Sequence, residues 1–523
     1  METKVTVGRG TAALFVGNIT GLVANTVYFI ILANVLHSTI EVGVVTSLNI
    51  MIWFFVFVCV LAQPVVLGSP IPAPLAVLKF IPGFLAKDDR SAASTVFKVS
   101  LALSIAIGLM AAAILTTMPS LVIPLLGGQA IVPDYVRLSA VDILVISAGQ
   151  ICLGGVIALG GSNVAGSYLI AWNVARYAFA SVLLVNYGVT GVLIGWVIGD
   201  LALLFVALHW TLKILGRQVG LGSFSGTELA RYSIYTMFAA LIGFAINQAD
   251  RLIILWQRGL SGMAVYNAAM VGAGVAGYVP YALVTVLLPA LTALSVSGKT
   301  MQIHDLIRSY TRYVSLVVIP IGFGLAAAME TLLRIFGVDY VSGMLAAATV
   351  SVATGLTAIG IVYAGALLAL GKMRWYTAAN LLGLVVLLTV AGTLTPILGL
   401  NGPALGRASL MAVAAIVYAL AAYRSGIFEI DSRAYFIAVI SSAAMMLVIF
   451  GALSTIHGFV MKIVALPALA LVGLLVYVGG LRSFHLLTIG DLDFFYDLMP
   501  KRLHFIMPGL ARLAGLHLSS KDD

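Results

Sequence analysis

Charged residues are scarce in this chain. Asp, Glu, Lys and Arg together make up 9% of its 523 residues, whereas hydrophobic residues make up 62%. Ordinary soluble domains carry roughly 25% charged and about 45–50% apolar residues. A composition this poor in charge excludes a water-soluble protein.

Cysteine is nearly absent as well, and the sequence lacks the short motifs of common enzyme sites. Only Cys59 and Cys152 are present, which excludes a disulfide framework. The histidines show no metal-ligand spacing, and no HExxH or GxSxG motif occurs. The segment GALLALGKM (365–373) resembles a phosphate-binding loop but has Met373 where Ser or Thr would hold magnesium. We therefore expect neither an enzyme activity nor a cofactor or metal.

The sequence is rich in long apolar runs. A run of 18 or more such residues can cross a hydrocarbon layer of ~30 Å as a helix. This criterion predicts an all-α polytopic membrane protein with about fourteen transmembrane helices. The predicted helices cover residues 11–36, 40–67, 92–118, 138–159, 163–186, 188–215, 232–257, 262–295, 309–334, 343–370, 375–398, 401–423, 433–455 and 460–482.

The Lys and Arg residues in the connections and at the ends of the predicted helices concentrate on alternate connections. Counted with the amino terminus inside, the inner segments carry twenty of them and the outer segments carry four, at Arg137, Arg258, Arg334 and Lys462. Positive residues accumulate on the cytoplasmic side of membrane proteins. The pattern predicts a multi-pass protein of the cell membrane with both termini in the cytoplasm. It also explains the net charge of +9 without a nucleic-acid partner.

The sequence repeats itself at an offset of 211 residues. GQICLGGVIALG (149–160) matches GIVYAGALLALG (360–371), and GVTGVLIG (188–195) matches GLNGPALG (399–406). Predicted helices 1–6 therefore correspond to helices 7–12, and an even number of helices per repeat preserves the direction of the chain through the membrane. We expect two pseudo-symmetric six-helix lobes with the substrate bound in a central cavity between them.

This repeat divides the chain into four predicted parts. They are an amino-terminal lobe (1–218), a carboxy-terminal lobe (219–426), two extra transmembrane helices (427–483) and a cytoplasmic amphipathic tail (484–523). The tail mixes Leu, Phe and Ile with Lys, Arg and Asp around two prolines, a pattern typical of helices that lie on a membrane surface. A partly ordered tail is the alternative.

A resemblance to a known family begins at Tyr232 and extends to Tyr423. Its segments are NQADRLIILWQRGLSGMAVYNAA, LLPALTAL, IHDLIRSYTRYVSLVVIPIGFGL, LRIFGVDYVSGM, ALLALGKMRWYTAANLLGLVVLL and GLNGPALG. These segments resemble the polysaccharide-biosynthesis flippases, the Wzx-like branch of the multidrug/oligosaccharidyl-lipid/polysaccharide exporter superfamily. The resemblance implies alternating access that moves a lipid-linked oligosaccharide from the inner to the outer leaflet. It implies a lipid-linked glycan substrate and membrane lipids as partners.

The same resemblance assigns site residues in the second lobe. They are Asn247, Asp250, Arg251, Asn267 and Asn380. Other family members hold the pyrophosphate with cationic residues of the first helices. This chain departs from that pattern, because its first helix offers only Asn18 and Asn25.

Charged residues inside predicted helices are a second source of candidates. A charge at the centre of a spanning helix costs roughly 2.5–3.5 kcal/mol on insertion scales, so each suggests a function. Arg176 and Asp200 lie equally far from the turn at Tyr187–Gly188, which predicts an ion pair that either braces its lobe or binds an anion. Arg407 is expected to line the upper cavity or to cap the outer end of its own lobe.

Two further predictions concern neighbouring charges. Asp250 and Arg251 point about 100° apart on a helix, so at least one needs a partner elsewhere. The pair is expected to face a hydrated lumen, with an interfacial anchor as the alternative. Glu330 and Arg334 are four residues apart and are expected to pair at a helix end.

The sequence leaves two main functions open. The first is a flippase for lipid-linked oligosaccharide or polysaccharide precursors, active as a monomer and optionally coupled to H⁺ or Na⁺. The second is a cation-coupled multidrug or small-organic exporter of the same superfamily, with Asp200 or Asp250 as the ion site. A scaffold without transport is the remaining alternative.

Overall fold

The architecture was analysed in a computed structural model. The structure describes residues 2–36, 38–60, 63–64, 72–73, 75–215, 226–297, 299–488 and 491. The chain forms two compact units, Met1–Asn267 and Ala268–Asp523. The predicted boundaries of the two lobes, 1–218 and 219–426, stay a prediction. The predicted amphipathic tail lies outside the described residues except for 484–488 and 491.

Helices make up nearly all of the described chain, which confirms the predicted fold class. In order they are α1 Glu2–Val35, α2 Thr39–Cys59, α3 Leu75–Leu85, α4 Arg90–Thr117, α5 Ile123–Leu126, α6 Pro133–Ala158, α7 Ser162–Leu215, α8 Gly226–Val296, α9 Thr300–Arg334, α10 Met344–Ala369, α11 Met373–Leu398, α12 Asn401–Arg424, α13 Ser432–Thr455 and α14 Phe459–Ser483. The remainder includes short 3₁₀ turns and an antiparallel pair, Gln63–Pro64 with Pro72–Ala73.

Two of these helices are too long to be single spans. Helix α7 has 54 residues and α8 has 71, which at 1.5 Å per residue is at least twice the ~30 Å hydrocarbon layer. The backbone leaves the helical region at Gly188 (φ 54°, ψ −136°) in α7 and at Gly259 (φ 74°, ψ −172°) in α8. Each element is therefore two helices joined at a glycine. The described residues contain twelve elements long and apolar enough to cross a membrane, and splitting these two gives the predicted fourteen.

The sequence repeat reappears in the backbone. Helix α6 (Pro133–Ala158) and helix α10 (Met344–Ala369) both have 26 residues, and each end of α10 lies 211 residues after the matching end of α6. The connection at Gly188 has the same unusual conformation as Gly399 (φ 59°, ψ −128°). A side chain would strain both positions, because residues with a Cβ rarely adopt such angles.

The matching glycines also make matching contacts. A Cβ at Gly195 would lie 2.4 Å from the Cα of Ala180, and a Cβ at Gly406 would lie 2.9 Å from the Cβ of Ala391. Ala391 is 211 residues after Ala180, so the same two helices approach closely in each repeat. Glycine at these positions lets the helix backbones touch.

The two extra helices pack on α9 in the second unit. Their apolar cluster includes Phe323 of α9, Met445 of α13 and Leu481 of α14. The hydroxyl of Tyr477 in α14 donates a hydrogen bond to the carbonyl of Leu316 at 2.8 Å. Helices α13 and α14 are therefore an integral part of this unit.

Arg312 of α9 binds the segment just before α13 and the segment just after α14. Its guanidinium donates to Asp431 Oδ2 at 2.6 Å, to Asp491 Oδ1 at 2.7 Å and to the Leu486 carbonyl at 2.6 Å. Burial alone would raise the pKa of Asp431, but hydrogen bonds from the Ala434 N–H and from Arg312 outweigh it and hold the pKa below its usual value. The carboxylate therefore stays ionised next to Arg312.

Candidate functional site

A buried ionic cluster joins α6 to both halves of α7 in the first unit. Arg176 donates through Nη1 to Asp200 Oδ2 and through Nη2 to Asp142 Oδ2 at 3.2 Å. Arg176 is 2% exposed, Asp142 1% and Asp200 0%. The predicted ion pair between Arg176 and Asp200 is confirmed, and a second carboxylate completes it.

Aromatic side chains surround this cluster. The indole N–H of Trp172 donates to Asp200 Oδ1 at 2.6 Å, so both oxygens of Asp200 are occupied. The Arg176 guanidinium lies 5.0 Å from the ring centroid of Trp196, within the range of a cation–π contact. Tyr28 of α1 stacks on Tyr177 with 5.0 Å between ring centroids. The arginine is thus held by two carboxylates and an aromatic face.

Asp142 is the member of this cluster that sequence reasoning missed. The sequence predicted a helix beginning at residue 138, which placed residue 142 about one turn from the membrane surface. Helix α6 begins at Pro133, so Asp142 lies about 13 Å along it at 1.5 Å per residue. A carboxylate at that depth is a functional candidate by the same cost argument that singled out Arg176.

A second polar group surrounds the kink of α8. Arg251 lies eight residues before Gly259 and Asn267 lies eight residues after it, so the turn brings them to the same level. Arg251 Nε donates to Asn267 Oδ1 at 2.9 Å, and Nη1 donates to the Asn247 carbonyl at 2.8 Å and to Gln248 Oε1 at 3.0 Å. These three bonds orient the guanidinium.

Asp250 belongs to the same group but has partners of its own. The Tyr266 hydroxyl donates to Asp250 Oδ2 at 2.7 Å, and the backbone N–H of Arg251 donates to Oδ1 at 3.0 Å. Asp250 is fully buried, whereas the Arg251 side chain is partly exposed. The prediction that at least one of the adjacent charges needs a partner elsewhere is confirmed. We call Asn247, Gln248, Asp250, Arg251, Tyr266 and Asn267 the α8 polar group.

The remaining predicted site residues lie elsewhere. Asn25 is half-buried on α1, and Arg407 is half-buried on α12. Asn380 is 8% exposed, and its amide donates to the Tyr376 carbonyl of its own helix at 2.9 Å. Asn380 and Arg407 belong to the second unit, whereas the α8 polar group belongs to the first. The substrate-binding role of all these residues stays a prediction.

The predicted pairing of Glu330 with Arg334 is wrong. Lys462 of α14 lies 3.3 Å from Glu330 Oε1, and the Arg334 guanidinium lies 5.4 Å from the ring of Phe459. Packing of α14 against α9 supplies both partners, and spacing along one helix could not reveal them.

No cluster of His, Cys, Asp and Glu large enough to hold a metal ion occurs within the described residues. The polar groups of the first unit instead combine arginine with carboxylate and amide oxygens. Arginine offers a planar fork of donors suited to carboxylates and phosphates. Ion pairing and recognition of an anionic group are therefore the chemistry that these side chains can provide.

A family model described as "Polysaccharide biosynthesis protein" matches residues 85–342. The resemblance to the polysaccharide-biosynthesis family is confirmed. The match spans just under half of the chain and includes both the ionic cluster and the α8 polar group. No curated protein matches the chain in sequence.

Solved transporter structures share this architecture. The lipid II flippase MurJ in an inward closed conformation matches with a TM-score of 0.69 and 15% identity, over 91% of this chain and 98% of that one. An inward-facing multidrug resistance MATE transporter of the MOP superfamily matches with a TM-score of 0.63 and 15% identity, over 79% and 98%. A MOP superfamily transporter from Pyrococcus furiosus matches with a TM-score of 0.58 and 14% identity, over 81% and 96%. The chain has the fold of these transporters.

Proposed function

We propose that this protein is a flippase that moves lipid-linked oligosaccharide or polysaccharide precursors from the inner to the outer leaflet by alternating access. The family match to polysaccharide biosynthesis proteins carries this proposal. The likeness to the lipid II flippase supports the choice of a lipid-linked substrate.

The physical problem of such transport explains polar groups within spanning helices. A glycan headgroup loses its hydrogen bonds to water in hydrocarbon, and each unpaired polar group costs a few kcal/mol. A flippase must replace those bonds along the path while the lipid tail remains in the membrane. The α8 polar group supplies amide, hydroxyl and guanidinium groups on one helical hairpin.

Arg251 is the proposed contact for the diphosphate. Its side chain is partly exposed and already oriented by three neutral acceptors, so little freedom is lost when an anion binds. Outward movement of two negative charges from a negative cell interior gains about 4.6 kcal/mol at 100 mV, at ~2.3 kcal/mol per charge. Coupling to an ion is therefore optional for this direction of transport.

The remaining features of the proposal concern placement. We infer a plasma-membrane protein with cytoplasmic termini, because Lys and Arg concentrate on alternate connections. We propose a monomer, since one chain carries both repeats of the fold.

A cation-coupled exporter of small organic compounds is the second candidate. The likeness to MATE transporters and the buried carboxylates Asp142 and Asp200 favour it. Such an exporter would move organic cations in exchange for H⁺ or Na⁺ and would not flip a lipid-linked glycan.

The test is transport by purified protein in vesicles. The probe is a fluorescent polyprenyl diphosphate disaccharide whose label is quenched from outside the vesicle. Arg251→Gln should slow flipping by roughly 10- to 100-fold, since a hydrogen bond to a charged group contributes about 1.5–3 kcal/mol. Arg258→Gln, at an exposed position of the same helix, should transport like the unmodified protein.

Other outcomes of this experiment would change the proposed site or the proposed function. Unchanged flipping by Arg251→Gln removes this residue from the site. If the unmodified protein does not flip the probe but extrudes an organic cation such as ethidium, the exporter is the correct function. Undecaprenyl and dolichyl versions of the probe identify the preferred carrier.

A further inference from the structure

The ionic cluster of the first unit contains more negative than positive groups. Asp142 and Asp200 face a single cation, Arg176, and all three are almost completely buried. With both carboxylates ionised the cluster would carry one uncompensated negative charge inside the membrane region. Burying an unpaired charge costs several kcal/mol, so the cluster is expected to acquire a positive partner.

Asp142 is the carboxylate with room for that partner. Asp200 accepts from Trp172 through one oxygen and from Arg176 through the other. Asp142 meets Arg176 only through Oδ2, and its Oδ1 is buried without a hydrogen-bond partner. A proton on Oδ1 would remove the excess charge and turn an unmatched acceptor into a donor.

The surroundings favour a proton over a metal cation. Hard metal cations are held by several oxygen ligands at once, whereas no group of three or more His, Cys, Asp and Glu side chains that could hold one occurs among the described residues, and the guanidinium on Oδ2 would repel a metal. The Tyr28 hydroxyl and Trp196 N–H, in the aromatic shell around Arg176, are also buried without hydrogen-bond partners. A proton needs only such exchangeable groups or a water molecule beside it.

The other titratable groups on α6 and on the elements packed against it are the cluster's own partners, the buried thiols of Cys59 on α2 and Cys152 on α6, and charges at exposed positions. Helix α7 contributes Arg176, Asp200 and Tyr177 to the cluster, and α1 contributes Tyr28. The elements that also pack on α6 hold their charges at exposed positions, at Lys79 of α3, Glu41 of α2, and Arg90 and Lys98 of α4. On α6 itself, Asp134 and Arg137 pair with each other at an exposed end.

The second repeat indicates that the fold does not require this cluster. The positions 211 residues after Asp142, Arg176 and Asp200 are Ala353, Leu387 and Met411. Leu387 is fully buried, and Thr354 next to Ala353 lies 4.0 Å from the sulfur of Met411. The second repeat therefore has uncharged side chains at all three positions, and a charged cluster in the first calls for a function.

We propose that Asp142 is an exchangeable proton site, and that its proton is the coupling ion of the proposed transport. In the protonated state the carboxylic acid loses its ionic attraction to Arg176, which then pairs with Asp200 alone. Loss of the proton to water restores a carboxylate that attracts Arg176 and draws α6 towards α7. The proton thus sets the strength of the contact between these helices.

Infrared pH-difference spectroscopy of the purified full-length protein tests the site without any substrate. A buried protonated Asp gives a carbonyl stretching band that disappears when the acid ionises. We expect such a band near neutral pH, its loss at alkaline pH, and its absence in Asp142→Asn. Asp134→Asn, on the exposed end of the same helix, should keep the band. A spectrum without the band, or an unchanged band in Asp142→Asn, overturns the proposal.

Vesicle transport of the fluorescent disaccharide probe then tests the coupling. A pH gradient should accelerate the unmodified protein and Asp134→Asn but not Asp142→Asn. If Asp142→Asn does not fold, Asp142→Ala, which copies Ala353, replaces it. A response to a sodium gradient with none to pH overturns coupling by protons. An Asp142 band in a protein that flips no probe leaves the site standing and refutes the proposed function alone.

Discussion

The two repeats share a backbone but differ in what joins their helices. Helices α6 and α10 match in length and position, and Gly188 and Gly399 adopt the same conformation. In the first repeat a buried arginine and two carboxylates connect the helices. In the second, Ala353, Leu387 and Met411 stand at the corresponding positions. The comparison separates what the fold needs from what has been added to it.

The glycine positions that the two repeats share are part of what the fold needs. Gly195 and Gly406 each allow a close helix contact at the same level of their repeat, which no larger residue could provide without moving the helices. The ionic cluster has been added to the fold, because burying an ion pair rarely stabilises a protein more than well-packed apolar residues do.

The largest expected effect comes from removing the cation alone. Arg176→Leu copies Leu387 but leaves Asp142 and Asp200 buried without their counter-charge. Breaking a buried ionic group in this way costs about 3–5 kcal/mol. The expected result is a strongly lowered Tm and a poor yield of monodisperse protein in detergent. A Tm equal to that of the unmodified protein would contradict the view that Arg176 compensates the charge of the buried carboxylates.

A smaller and symmetric effect is expected at the shared glycines. Gly188→Ala and Gly399→Ala place a Cβ in a sparsely populated backbone region, which costs on the order of 1–3 kcal/mol. Both variants should lower the Tm by similar amounts. Gly451→Ala, at an open position within α13, is the control and should keep the Tm or raise it slightly, because Ala favours a helix over Gly. Clearly unequal losses at the two glycines would break the equivalence of the repeats.

The smallest effect is expected at Asp431, at the start of α13, a helix that has no counterpart in the first repeat. Asp431→Asn keeps an N-cap for α13 but loses the charge that meets Arg312, so its cost at neutral pH is below about 1 kcal/mol. The pKa of Asp431 is lowered in the folded protein. Its contribution is therefore present above the unfolded value of about 3.9 and is lost as the pH falls through the folded value.

The measurement is the Tm as a function of pH. The unmodified protein should lose more stability on acidification than Asp431→Asn. Parallel pH profiles for the two proteins would show that the Arg312 contact does not contribute.

Hydropathy and glycine spacing predicted most of the fold. Apolar runs are set by the thickness of the membrane, so the spans of α10 to α14 could be located to within a few residues, whereas α9 begins at Thr300, nine residues before its predicted start. The Arg176–Asp200 contact followed from equal distances to the turn at Gly188. Helix α3 was missed, because at 11 residues it is too short for a criterion based on membrane thickness.

The rest of the site could not be predicted, because it is formed by contacts between segments that are distant in the sequence. Asp142 was overlooked because the apolar run of α6 starts after its first helical turn, and this made a deep residue look superficial. Lys462 as the partner of Glu330 required knowing that α14 packs beside α9. The bonds from Arg251 to Asn247, Gln248 and Asn267 depended on the sharp reversal at Gly259.

The most direct test replaces the cluster of the first repeat with the residues of the second. The variant Asp142→Ala/Arg176→Leu/Asp200→Met removes all three charges together and is measured for Tm and for flipping of the fluorescent polyprenyl diphosphate disaccharide. We expect a Tm at or above that of the unmodified protein, together with loss of transport that responds to a pH gradient. A folded variant that transports with the original pH response would contradict the account, because the cluster would then serve neither folding nor transport.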